Sequence, residues 1–134
     1  MAKANIIKEL LVKTKNRVGM MAEVAETIAN SGINITALNA FSVDRDNAIF
    51  RIVTSDNAKA IAAIKAKKFD VSERNVVSVE LENKPGTAAD VGQKLKKANI
   101  DINYIYGSTC DCGGPSTVVF DSSDNKKVVD VLNK

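Results

Sequence analysis

The 134-residue chain has no histidine and no tryptophan, only two cysteines and two prolines, and few aromatic residues. Without histidine it lacks the commonest general base, and no side chain is placed as a nucleophile beside one. No catalytic residue is assigned, and an enzyme is not expected. Two cysteines do not make a disulfide framework, and in a reducing compartment they would stay thiols. The stretch Cys110-Asp111-Cys112-Gly113-Gly114 offers two thiolates one residue apart. A closed zinc site takes four ligands, which only two copies of the chain could supply, so the segment reads as a hairpin loop. Neither a metal nor a cofactor is called for. No apolar run approaches the roughly 18 residues of a membrane span, and Lys3, Lys8 and Lys13 interrupt the apolar N-terminus where a signal peptide would need continuity. A cytoplasmic protein without a membrane partner is expected. The net charge is only +3, with lysines alternating with acids, and the inner strands offer few aromatics, namely Phe41, Phe50, Tyr104 and Tyr106. Nucleic acid is therefore not an expected partner.

What the chain does have is an internal repeat. Asn16-Arg17-Val18-Gly19 returns 67 positions later as Asn83-Lys84-Pro85-Gly86, and Ala22, Val24, Ile28, Ile33 and Ile35 stay in step with Ala89, Val91, Leu95, Ile100 and Ile102. Further on the offset becomes 68, with Ser55-Asp56-Asn57 matching Ser123-Asp124-Asn125. A period of this length is too long for a solenoid unit and suits a small domain, so two copies of one fold are expected, at 1–73 and 74–134.

Each copy reads as strand, helix, strand, strand, helix, strand. Ile6 to Val12 and Val76 to Leu81 are the first strands. Met21, Val24, Ala25 and Ile28, and in the second copy Ala88, Val91 and Leu95, mark one face of a helix. Gly32 and Asn99 sit where a left-handed helix end is wanted. Ile33 to Val43 with Ala48 to Thr54, and Ile100 to Thr109 with Ser116 to Ser122, are hairpins. Asp56 and Asp124 are suited to cap a second helix, whose apolar faces are Ala60, Ile61 and Ile64 in one copy and Val128, Val129 and Leu132 in the other. Phe69 to Ser72 supplies a short last strand in the first copy, and the second copy lacks one. The order is the split βαβ, ferredoxin-like unit of the α+β class, an antiparallel sheet with both helices on one face. Arg51 and Asn103, alternating with apolar neighbours, predict a partly wet opposite face. The missing strand would leave an open sheet edge, a liability that a partner chain would cover, and a homodimer is expected on that ground.

The two Asn-x-x-Gly turns are the candidate sites. Each sets a glycine at a helix N-terminus, where backbone N–H groups and the positive dipole end attract an anion such as a carboxylate. The same residues also suit a purely structural turn, with asparagine starting it, glycine tightening it and Pro85 presetting its angle.

The pattern resembles the ACT domain, a small-molecule sensing module. The resemblance rests on Leu81-Glu82-Asn83-Lys84-Pro85-Gly86 with Ala98-Asn99-Ile100-Asp101-Ile102-Asn103, and on Thr14 to Gly19 with Ser31-Gly32-Ile33-Asn34-Ile35-Thr36. It covers nearly the whole chain, so no attached catalytic domain is expected. It implies a free-standing amino-acid-binding regulatory protein whose ligand lies between two ACT units. The ligand residues so implied are Asn16, Val18, Gly19, Met20, Met21 and Asn34 in the first copy. In the second they are Asn83, Pro85, Gly86, Thr87, Asp101 and Asn103, with Asp101 suited to an α-ammonium group. The first copy departs from the pattern at Val18, where proline is usual, and at Met20-Met21, which would make a pocket there more apolar. A regulatory subunit that controls a metabolic enzyme in trans is the alternative.

Overall fold

A computed structural model describes residues 2–109 and 111–134. The elements are β1 (Lys3–Lys15), α1 (Met20–Ala29), β2 (Ile35–Ser42), β3 (Asn47–Thr54), α2 (Asn57–Ala66), β4 (Asp70–Leu81), α3 (Thr87–Lys97), β5 (Ile102–Ser108), β6 (Ser116–Ser122) and α4 (Asn125–Leu132). Two ferredoxin-like repeats of the α+β class are present, and no strand follows α4 among the described residues.

The local chemistry of the helix ends is repeated almost bond for bond. Asp56 accepts from the Lys59 amide at 3.1 Å and Asp124 from the Lys127 amide at 3.0 Å, so both second helices carry the expected N-caps. Asn57 and Asn125 each accept a hydroxyl hydrogen bond, from Thr54 at 2.6 Å and Ser122 at 2.7 Å. Their amide groups reach back to the first strand of the same repeat, donating to the Lys8 and Asn75 carbonyls. Gly32 (φ 73°) and Asn99 (φ 58°) adopt the left-handed conformation expected past α1 and α3.

The contacts divide the chain into Lys8–Arg74 and a unit that joins the segment up to Ile7 with Asn75–Lys134. In the first unit the strands run β2-β3-β1-β4, and in the second β1-β4-β6-β5. The hairpins β2·β3 and β5·β6, and the pairs β1·β3 and β4·β6, are antiparallel. Matching β4 to β1, β6 to β3 and β5 to β2 puts the start of β1 in the last-strand position of the second repeat. Ala4 there is 1% exposed and packs with Val77, Val79, Leu95 and Phe120. Asn133, at the end of α4, fixes it from both sides: its Oδ1 accepts from the Ala4 amide at 2.8 Å and its Nδ2 donates to the Ala4 carbonyl at 2.9 Å.

The open edge expected of the second repeat is thus occupied by the chain's own Lys3–Ile7, and the argument for a partner chain at that edge does not hold. Likewise the expected short strand after α2 and the first strand of the second repeat are a single strand, β4. Each repeat keeps one core, built on Leu10, Val12, Phe50 and Ile52 in the first and on Val77, Val79, Leu81 and Phe120 in the second. On the opposite face of the first repeat, a partly buried Arg51 stands 3.8 Å from a buried Glu9, while Asn103 in the second repeat is exposed. Cys110 lies outside the described residues. Cys112 is disulfide-bonded, against the expectation of a thiol.

Candidate functional site

The two loops predicted to carry function lead from β1 into α1 and from β4 into α3. Gly19 (φ 87°) and Gly86 (φ 92°) both occupy the N-cap position in the left-handed region, which few other residues enter. A Cβ at either glycine would meet nothing within 4 Å, so the backbone lies open to approach. Neither α1 nor α3 has a side-chain cap, whereas α2 and α4 are both capped by aspartate. The contrast lies within one molecule and falls on the two repeated loops. Each helix carries an acid in its first turn, Glu23 or Asp90, which complements the helix dipole. Each loop also carries a cation at the same repeat position. Arg17 pairs with Glu23, and Lys84 pairs with Glu82 at 2.7 Å. Hydrogen bonding and charge from Lys84 hold the Glu82 carboxyl far below its usual range, at about 2.

The individual residues divide by role. Asn16 is fastened to the β2–β3 turn: its amide donates to the Asp46 carbonyl at 2.9 Å and its Nδ2 to the Asp44 carbonyl at 3.1 Å. Val18 is fully exposed at the loop tip. Met20 is 5% exposed and belongs to the core, and its amide donates to the Arg17 carbonyl at 3.3 Å. Met21, expected on the buried helix face, is instead 61% exposed. The first-turn donors left to a ligand at α1 are therefore those of Met21 and Ala22. In the second loop Asn83, Pro85 and Gly86 are exposed, and Thr87 donates its hydroxyl to the Lys84 carbonyl at 3.2 Å. Asn34 and Asp101 hold equivalent positions, their amides donating to Ser55 and Ser123 hydroxyls at 3.0 and 3.1 Å. The Asp101 carboxylate is exposed and accepts from the Ile102 amide. Asn103 donates to Asp121 at 2.8 Å, within its own hairpin.

Among the described residues these side chains are divided over separate cavities. Asp101 lines an open cleft of about 630 Å³ with Gly92, Leu95, Lys96, Asn99, Ile100 and Ile102. Thr87 lines a small one of about 80 Å³ with Glu82, Asp90 and Lys94. Met20 lines a groove of about 670 Å³ at the ends of β1, β3 and β4, together with Lys13, Thr14, Lys15, Arg17, Asn47, Lys68, Phe69 and Asp70. Among the described residues no group of His, Cys, Asp or Glu could hold a metal ion, and no helix is long and apolar enough to cross a membrane.

A family model for the ACT domain pair matches residues 5–134. The chain belongs to the ACT domain pair family. A crystal structure of a Bacteroides thetaiotaomicron protein is similar to this ACT domain pair at 32% identity and a TM-score of 0.89, covering 97% of this chain and 88% of the other. The regulatory subunits of aspartate kinase from Thermus thermophilus and Thermus flavus share the fold at 14% identity. Their TM-scores are 0.68 and 0.64, over 98% of this chain and 94% of theirs. Among curated protein sequences nothing matches the chain. The ACT domain is a regulatory domain type, and the resemblance read from the two Asn-x-x-Gly loops is thereby established.

Lys13, Lys15 and Lys68, which line the groove of about 670 Å³ in this ACT domain pair, were not singled out from sequence. A signal was present in the repeat itself: at the offset of 67, Lys13 and Lys15 align with Glu80 and Glu82.

Proposed function

We propose that this ACT domain pair is a cytoplasmic, non-enzymatic regulatory protein that binds a free amino acid at its strand-to-helix loops, the ligand lying between ACT units in a homodimer. The observation that carries the reading is the selective absence of side-chain caps. α2 and α4 satisfy their first-turn amides with Asp56 and Asp124, while α1 and α3 follow open left-handed glycines and have no such cap. A ligand carboxylate supplies the missing acceptor. Asp101, exposed at the start of β5, supplies a carboxylate for the α-ammonium group, a role the neutral Asn34 fills less well.

The test is a thermal-shift screen against the twenty amino acids with calorimetry on any hit. A ligand at about 100 times its dissociation constant adds about 2.7 kcal/mol of stability. We expect one or a few amino acids to raise the unfolding midpoint, and Asp101→Ala to abolish the shift. The family resemblance to aspartate kinase regulatory subunits favours a second reading, in which the chain binds and controls a metabolic enzyme in trans. A flat screen sinks the amino-acid reading and leaves that one, which co-purification tests.

A further inference from the structure

We propose that the groove of the first repeat is a binding site for a small polyanion, a molecule carrying two or more phosphate or carboxylate groups. Its lining brings together Lys13 and Lys15 from β1, Arg17 from the following loop and Lys68 from the turn after α2, against a single carboxylate, Asp70. Arg17 is paired to Glu23, which lies outside the lining, and among the described residues Lys13, Lys15 and Lys68 take part in no ion pair. Cations gathered in one concavity repel one another unless an anion joins them, and a concave wall focuses their field on whatever enters.

Two further observations make this more than a solvated basic face. Lys68 is held at φ 65° by a turn in which its amide donates to the Lys65 carbonyl at 2.9 Å. Glycine is the residue that suits this position, and the other described non-glycine residue with positive φ is an asparagine, Asn99. A lysine is thus kept where the backbone disfavours it, and that lysine lines the groove. The second observation comes from the duplication. At the same places the second repeat has Glu80 for Lys13 and Glu82 for Lys15, and the cavity beside Glu82 shrinks to about 80 Å³. One fold has been given opposite charges at one location, and the copy with the cations is the copy with the space.

The proposal does not depend on amino-acid binding, because its test contains no amino acid. The full chain, labelled with nitrogen-15, is titrated with pyrophosphate and separately with citrate while amide shifts are followed. Saturable shifts at Arg17, Met20, Lys68 and Phe69, without shifts at Glu82 to Thr87, are expected for at least one of the two, and which of them binds more tightly assigns the phosphate or carboxylate class. The affinity should fall as salt is raised. The double variant K13E/K15E introduces the charges the second repeat already tolerates and should weaken binding by about tenfold or more. Lys84→Glu should leave it unchanged. Lys68→Gly should raise the unfolding midpoint and weaken binding together, a pairing that a merely structural lysine would not give. Shifts that fail to saturate, shifts spread equally over both repeats, or an unchanged affinity in K13E/K15E would overturn the site.

Discussion

Gly19 and Gly86 show how little of a residue's importance comes from crowding. Both have empty space where a side chain would go, so Gly19→Ala is penalised only by its positive φ. We expect a loss of about 1–2 kcal/mol, measured by denaturant unfolding. Gly107, on β5, is the opposite case: a Cβ there would sit 2.6 Å from Val118 Cγ1 and 2.7 Å from the Thr117 carbonyl oxygen. Gly107→Ala should cost more than Gly19→Ala, because the neighbour includes backbone that cannot step aside. At this scale the sequence was readable where one residue type has a single conformational use. Gly32, Asn99, Asp56 and Asp124 all fall where their chemistry placed them. It was not readable at Met20-Met21, since adjacent residues on a helix point about 100° apart and both are apolar. Only the position of the turn at Gly19 decides that Met20 enters the core and Met21 faces outward.

Among the elements, the loop into α3 has a measurable electrostatic signature. Glu82 titrates in the folded chain at about 2, against an ordinary value of 4.5, chiefly because it accepts a hydrogen bond from Lys84. A carboxyl depressed by folding adds stability that is fully present above its unfolded pKa and disappears as pH falls through the folded one. The stability tied to the Glu82 carboxylate is therefore complete above about 4.5 and lost on acidification toward 2, with Lys84 its foremost partner. Carboxyl NMR should show the Glu82 midpoint rising toward its ordinary value in Lys84→Met, while Asp44 stays low. Asp44 is depressed by a different set of donors, first the Asn47 side chain and then the Asp46 amide, all within the β2–β3 turn. The strands and helices were legible in outline because alternation and helical period both survive in duplicate. Strand length was not, since the residues 73–75 between the strands expected at Phe69 to Ser72 and from Val76 are all polar, and only the pairing in space joins them into β4. The groove was equally hidden, because Lys68 and Lys13 are distant in sequence and nothing in a single copy marks them as neighbours.

For the whole molecule, Asn133 is the side chain on which the second repeat's last strand depends. Asn133→Ala removes two hydrogen bonds to the Ala4 backbone and should cost about 1–3 kcal/mol. The damage should be local to one core. Amide exchange at Val77, Val79 and Val128 should quicken, while Ile52 and Ile64 keep their protection; equal loss in both cores would show that Ala4 is not specific to the second. The same arrangement orders events during synthesis. Residues 8–74 contain every strand of the first repeat and can close as soon as they leave the ribosome. Lys3–Ile7, made before any of them, have no core to join until α4 has emerged. A strand segment translated ahead of both cores is thus among the last to settle, and until then it is a free edge in search of a partner.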